Sequence, residues 1–170
     1  NYTPVSYNRG IQYVVIHTVE GSAAGAISWF KNSSSNVSAH YVVDYSGAIT
    51  QMVQDKDIGW HAGNWDYNVH SIGIEHAGYA YKNYWTTAEY QQSAALTRWI
   101  CLTYGVPMDR EHILGHVEVP GATHTDPGPY FDWNYYMSLV KNEPSDPSTS
   151  YKAMEVTTTE LNVRTGPSTS

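Results

Sequence analysis

Runs of apolar residues, separated by polar turns, predict short strands along the first half of the chain. The β-branched run at 11–17 (IQYVVIH) predicts a buried strand. Apolar stretches at 41–45 and 48–53 are joined by Ser46-Gly47, which predicts a β-hairpin. The segment 71–76 (SIGIEH) predicts one more strand, in which Ile and Gly or Glu alternate between two faces.

Longer periodic segments predict helices between and after these strands, at 21–31, 87–104 and 132–140. Thr86 followed by Glu89 has the pattern of a capping box, and Gly105 marks the end of the same helix. The segment 59–68, rich in Gly, Asn and Trp, and the segment 119–129, with Pro-Gly and Pro-Gly-Pro, are predicted to be loops. Strands interleaved with helices, together with a hairpin, predict an α/β fold with a central mixed β-sheet flanked by helices.

The composition changes after Lys141, where the chain becomes polar and rich in Pro and Ser. We therefore predict a domain at 1–141, a linker at 142–152 and the truncated start of a second module at 153–170. Eighteen residues are too few to form a domain by themselves.

Composition and charge limit the partners of the chain. Nine Lys and Arg residues stand against 16 Asp and Glu, which gives a net charge of −7 and no basic footprint for nucleic acid. No apolar run is long enough to predict a membrane span. Cys101 is the single cysteine, which excludes an intrachain disulfide and a multi-cysteine zinc site, and its helical surroundings predict burial.

The aromatic residues are mostly Tyr and Trp. Fifteen Tyr and six Trp against two Phe suit either a partly wet groove, as in sugar-binding clefts, or a core in which Tyr replaces Phe.

Two of the eight histidines stand at the ends of predicted strands. His17 ends the first strand, His116 ends a later short element, and Asp126 follows ten residues on, across a rigid loop. Two imidazoles and one carboxylate form a frequent catalytic zinc set that leaves a position for water. The spacing alone fits structural hydrogen bonding as well.

Two further residues are candidates for proton transfer and charge stabilisation. Alternation places Ile72 and Ile74 on one face of their strand and Glu75 on the other, with Gly73. Glu75 there is either a general base facing a cleft or part of a solvent-exposed face. His124, two residues before Asp126, is either a hydrogen-bond donor to a developing oxyanion or a surface histidine.

Five motifs occur in one order along the chain: Val15-Ile16-His17-Thr18, Ser38-Ala39-His40-Tyr41, Trp60-His61-Ala62-Gly63, Ser71-Ile72-Gly73-Ile74-Glu75, and Gly115-His116-Val117-Glu118 leading to His124-Thr125-Asp126-Pro127-Gly128-Pro129. This ordered set, over about residues 10–140, closely resembles the type 2 N-acetylmuramoyl-L-alanine amidases. That family is related to the peptidoglycan recognition proteins and to phage lysozyme-type amidases.

The resemblance implies the family's fold and roles for specific residues. It places the zinc (Zn2+) ligands at His17, His116 and Asp126, the catalytic glutamate at Glu75 and the oxyanion-stabilising residue at His124. A variant of the family with a catalytic tyrosine just before the position of His40 does not apply, because Ala39 stands there. The loop that contains Trp60, His61, Asn64 and Trp65 supplies candidate substrate-binding residues. Leu161 to Ser168 resembles the opening of a bacterial SH3 module that binds cell walls.

The function implied is hydrolysis of the amide bond between N-acetylmuramic acid and L-alanine in bacterial peptidoglycan. We expect a monomer that is secreted to the cell wall, as an autolysin, or released by phage lysis, as an endolysin. The alternatives are a non-catalytic peptidoglycan-binding protein of the same fold, a zinc hydrolase that cuts peptide cross-links, and purely structural histidines.

Overall fold

The computed structural model describes residues 1–142, and the predicted linker and SH3-like segment from 143 onward lie outside the described residues. Its centre is a five-stranded sheet of order β4-β3-β6-β2-β7. Only β3 and β4 are antiparallel, so the predicted mixed sheet with a hairpin is confirmed. The strands are β1 Tyr2–Thr3, β2 Tyr13–Thr18, β3 Tyr41–Val43, β4 Ile49–Gln51, β5 Ile58–Gly59, β6 Ser71–His76 and β7 Ile113–Gly115, and β1 pairs with β5 in a separate two-stranded sheet.

Four α-helices accompany the sheet: α1 Ala23–Lys31, α2 Trp65–His70, α3 Thr87–Tyr104 and α4 Trp133–Lys141. The main core contains Ile16, Ile72 and Ile74, together with buried residues of α3 and α4. A second apolar cluster joins Ala26 of α1 to Val42 of β3. Helices therefore flank the sheet, and His17 and Glu75 lie on the face that Val42 shares, beside α1.

The helix ends follow local chemistry, with one departure from the sequence prediction. Ser22 caps α1, and Thr86 Oγ1 accepts a hydrogen bond from the Glu89 amide at the start of α3. The capping box at α3 is incomplete, because both carboxyl oxygens of Glu89 are buried without a hydrogen-bond partner among the described residues. Gly105 ends α3 in the left-handed conformation, with φ of 73°.

The segment 59–68, predicted to be a loop, instead contains the start of α2. Asn64 caps this helix by accepting a hydrogen bond from the Tyr67 amide. Six residues are too few for helical periodicity to show in the sequence. Cys101 is buried in α3 as predicted, and no helix in residues 1–142 has the length and hydropathy needed to cross a membrane.

Candidate active site

Three ionisable side chains from distant parts of the chain converge at one end of the sheet. His17 lies near the end of β2, and His116 directly follows β7, which is the neighbouring strand. The loop after His116 returns Asp126 to the same place, where the carbonyl of Asp126 accepts a hydrogen bond from the Val117 amide. All three are buried, and one candidate ligand atom from each lies within 4.8 Å of the others.

The two histidines approach the same carboxylate through the same type of ring atom. Nδ1 of His17 is 3.1 Å from Oδ2 of Asp126, and Nδ1 of His116 is 3.1 Å from Oδ1. Burial lowers the pKa of His17, although Asp126 partly opposes this. Burial would raise the pKa of Asp126, but an N–H or a positive charge on the neighbouring imidazoles would outweigh burial and hold that pKa below its ordinary value. Near neutral pH the site therefore combines an ionised carboxylate with a neutral His17.

A hydrogen-bond chain behind His17 fixes the position of its proton. Nε2 of His17 lies 3.0 Å from Nδ1 of His61, and Nε2 of His61 lies 3.2 Å from Oγ of Ser71. The Ser71 hydroxyl donates to the carbonyl of Tyr67, which can only accept. Ser71 must then accept from Nε2–H of His61, which leaves Nδ1 of His61 to accept from Nε2–H of His17.

This proton arrangement, together with the convergence of the three buried residues, is compatible with a metal ion. A neutral His17 with its proton on Nε2 directs the lone pair of Nδ1 toward an ionised carboxylate oxygen at 3.1 Å. Two such acceptors repel each other unless a cation lies between them. Neutral imidazole nitrogens and a carboxylate are ligands that Zn²⁺ takes, and a second hydrogen bond at the far ring nitrogen is usual for metal-binding histidines.

Glycine at position 73 makes room for this chain. A Cβ atom at Gly73 would lie 2.5 Å from Cγ of His61, well inside van der Waals contact. Burial lowers the pKa of His61 well below its ordinary value, with a further contribution from His17, so His61 is neutral as the chain requires. In β6, Ile72 and Ile74 thus pack in the core on one face of the sheet, and Gly73 leaves space for His61 on the other face.

Glu75 extends from the sheet face beside His17, because the two residues are paired in the register of β6 and β2. The residue is partly exposed, but its Oε2 atom is buried without a hydrogen-bond partner in the described part of the chain. Burial, followed by the charges of Asp126 and Glu20, raises the pKa of Glu75 to about 8. A carboxyl group that exchanges its proton near neutral pH is suited to general acid–base chemistry.

His124 lies on the other side of the triad. Its ring centroid is 4.7 Å from that of His116, and the two rings are inclined by 30°. Both rings line the same cleft, together with Glu75. His124 is therefore positioned to reach a group that is bound beside His116.

The site opens into a cleft of about 400 Å³. The far wall is apolar and includes Trp29 and Phe30 of α1. Of the four predicted groove residues, Trp60 and His61 line this cleft, and Trp60 is held by a hydrogen bond from its indole to Thr3.

The other predicted residues of that loop have different surroundings. Asn64 caps α2, and its side-chain amide donates to the carbonyl of Pro120, while Trp65 is 59% exposed on α2. Neither is among the residues that line the cleft. His61 does line it, but the contacts of both ring nitrogens favour a role in orienting His17 rather than contacting substrate.

A buried arginine behind the site had no signal in the sequence. The Arg9 side chain donates to the carbonyl of Ser71 and lies 3.0 Å from Nε2 of His40. His40 accepts from the Gly73 amide and meets the edge of the His61 ring. Burial, against the opposing charge of Asp55, lowers the pKa of Arg9 to about 10, so the guanidinium stays charged and braces the segment that supports His61. Arg9 lies in a polar N-terminal segment without hydrophobic periodicity, so no sequence pattern indicates its role. His61, by contrast, belongs to the Trp-His-Ala-Gly motif, which indicates it as a candidate.

The sequence of the chain is similar to those of known proteins. A family model described as "N-acetylmuramoyl-L-alanine amidase" matches residues 7–129. The chain is 40% identical over 166 residues to N-acetylmuramoyl-L-alanine amidase A of Achromobacter lyticus, and this alignment covers 86% of the chain and 92% of that relative.

Solved structures share the fold. A crystal structure of a selenomethionine derivative of AmpD has a TM-score of 0.66 at 27% identity, covering 81% of this chain and 91% of that one. The Escherichia coli amidase AmiD, in complex with anhydro-N-acetylmuramic acid-L-Ala-D-gamma-Glu-L-Lys, has a TM-score of 0.66 at 24% identity, covering 81% and 60%.

Proposed function

Because the chain belongs to the N-acetylmuramoyl-L-alanine amidase family, we propose that it is a zinc-dependent enzyme that hydrolyses the amide bond between N-acetylmuramic acid and L-alanine in peptidoglycan. His17, His116 and Asp126 hold the ion in this proposal. The observation that carries it is the buried convergence of His17, His116 and Asp126, in which Nδ1 of each histidine lies 3.1 Å from the carboxylate, an arrangement that a bound cation would stabilise. A solved relative in complex with a muramoyl peptide supports the substrate class.

His17, His116 and Asp126 would hold a zinc ion, which would supply polarisation of the scissile carbonyl and a more acidic attacking water. The protein side chains orient the ligands, transfer the proton and stabilise the oxyanion. His61 and Ser71 keep the Nδ1 lone pair of His17 directed into the site. Val117 and Asp126 are joined by a backbone hydrogen bond, which holds the carboxylate in place opposite the two imidazoles.

Glu75 transfers the proton in this proposal. Its carboxylate accepts a proton from the attacking water and returns it to the L-alanine nitrogen as the C–N bond breaks. Hydrolysis then gives a lactyl carboxylic acid and a free amine, and no covalent enzyme intermediate forms. The unpartnered Oε2 of Glu75, buried beside His17, is the atom that this role requires. An amide has a poor leaving group, so protonation of its nitrogen is necessary for turnover.

His124 stabilises the negative charge that develops on the carbonyl oxygen. Its ring lies against His116 and faces the cleft, so an N–H from His124 reaches a group bound beside the triad. Trp60 supplies part of the wall that positions the substrate.

The products from purified peptidoglycan test this proposal. We expect mass spectrometry to find free stem peptides that begin with L-alanine, lost after treatment with a chelator and restored by zinc. Binding to intact peptidoglycan without cleavage would indicate a recognition protein instead. Cleavage within the peptide cross-links would keep a zinc hydrolase but overturn the assigned bond.

Polymeric peptidoglycan lies in the cell wall, which supports a site of action there. We propose that the enzyme acts at the cell wall, either as a secreted autolysin or as an endolysin released by phage lysis. Fractionation of producing cells, with immunodetection of the protein in wall and medium, tests this.

A further inference from the structure

The loop between β6 and α3 displays a group of aromatic side chains at the surface. Tyr81 and Tyr84 are 64% and 52% exposed, and Tyr79 lies beside them. Tyr45, from the turn between β3 and β4, is 37% exposed and approaches the same loop near Gly78. We call Tyr45, Tyr79, Tyr81, Lys82 and Tyr84 the tyrosine patch.

Contacts within the tyrosine patch restrain the rings of Tyr79 and Tyr84. The ring centroids of Tyr79 and Tyr84 are 6.1 Å apart, in an edge-to-face arrangement. The Lys82 ammonium group lies 4.5 Å from the Tyr79 centroid and 6.0 Å from that of Tyr84. A cation over two aromatic faces restrains both rings, so less conformational entropy is lost when a ligand packs on them.

The tyrosine patch adjoins the rim of the active-site cleft. The Ala80 amide donates to the Glu20 carboxylate at 2.8 Å, and Gly78 forms an antiparallel bridge with Gly21. Glu20 and Gly21 both line the cleft. A polymer that occupies the cleft therefore meets the tyrosine patch where it leaves on this side.

We propose that the tyrosine patch binds the glycan strand of polymeric peptidoglycan beyond the muramoyl unit held in the cleft, an inference that rests on the proposed function. Each ring combines an apolar face, which packs on the C–H face of a sugar, with a hydroxyl that bonds sugar hydroxyls and acetamido groups. Tyrosines also occur in protein interfaces, and the position of the patch beside the cleft-lining residues Glu20 and Gly21 is what favours the glycan strand. Lys82 adds a positive charge for stem-peptide carboxylates, on a chain whose net charge is −7.

This inference predicts that the tyrosine patch distinguishes long strands from small fragments. In a Tyr81→Ala/Tyr84→Ala double variant we expect kcat/KM on long glycan strands to fall about tenfold, mainly through KM, since two ring faces that pack on sugars are lost. Cleavage of a soluble muramoyl peptide should stay within about twofold of the unaltered protein, because that substrate fits inside the cleft. Tyr7→Ala is the matched control, because Tyr7 is 58% exposed but lies outside both the cleft and the tyrosine patch.

Binding without turnover separates this inference from the proposed function. In a Glu75→Gln background we expect the double variant to co-sediment with purified peptidoglycan about tenfold more weakly than the single variant. Failure of the unaltered protein to release stem peptides from either substrate would count against the proposed function alone. Equal losses on both substrates, or no loss on either, would overturn the glycan-binding role. So would ultracentrifugation showing a dimer that the double variant dissociates, because a second copy would then cover the patch.

Discussion

Replacing His61 with phenylalanine tests whether the hydrogen-bond chain behind His17 controls metal binding. The phenyl ring takes the place of the imidazole but accepts no hydrogen bond, so Nε2–H of His17 loses its acceptor at 3.0 Å. The proton position on His17 is then no longer fixed, and a buried N–H without a partner costs about 1–3 kcal/mol. Loss of the outer partner of a metal-binding histidine typically weakens metal affinity about 10- to 100-fold.

We therefore expect the Kd for zinc to rise about 10- to 100-fold in His61→Phe, equivalent to about 1.4–2.7 kcal/mol. Competition with a chromophoric chelator at neutral pH measures this directly. His61→Asn should retain more affinity, since its amide oxygen can replace Nδ1 as the acceptor. His70→Phe is the control, because His70 lies at the end of α2 with its ring bonded to Asp66. Equal zinc affinity in His61→Phe and the unaltered protein would refute the role of the chain.

Three further predictions address catalysis, stability and thiol reactivity. Glu75→Gln should lower kcat about 10²- to 10⁴-fold with zinc still bound in a 1:1 ratio, because the amide cannot transfer the proton; substantial activity in a zinc-loaded variant would contradict its role. Burial raises the pKa of Glu89 from 4.5 to about 8. Its contribution to stability is therefore greatest below pH 4.5 and is lost as the pH rises through about 8. Glu89→Gln should therefore gain about 3–4 kcal/mol relative to the unaltered protein between pH 5 and pH 8, measured by urea unfolding, and a pH-independent difference would contradict this. Burial raises the pKa of the Cys101 thiol to about 12, so iodoacetamide should modify it only after unfolding, and rapid labelling of the native protein would disprove its burial.

The sequence alone determined the elements whose signals are local. Alternation in 71–76 separates Ile72 and Ile74 from Glu75, because neighbouring strand residues point to opposite faces in any sheet. The length and apolar spacing of α3, with Thr86 before it and Gly105 after it, likewise depend only on nearby residues. The ordered motifs also predicted the family, since each occurs at a recognisable point along the chain.

Only the tertiary structure decided which of these residues meet. His17 and Asp126 are separated by 109 residues, and no local rule states that their side chains lie 3.1 Å apart. The orienting role of His61 depends on the absence of a side chain at Gly73 and on the acceptor carbonyl of Tyr67, which α2 supplies. The tyrosine patch likewise requires the β3–β4 turn to bring Tyr45 to the loop of Tyr84. Hydrogen-bond direction and side-chain convergence arise from long-range packing, and a one-dimensional pattern does not contain them.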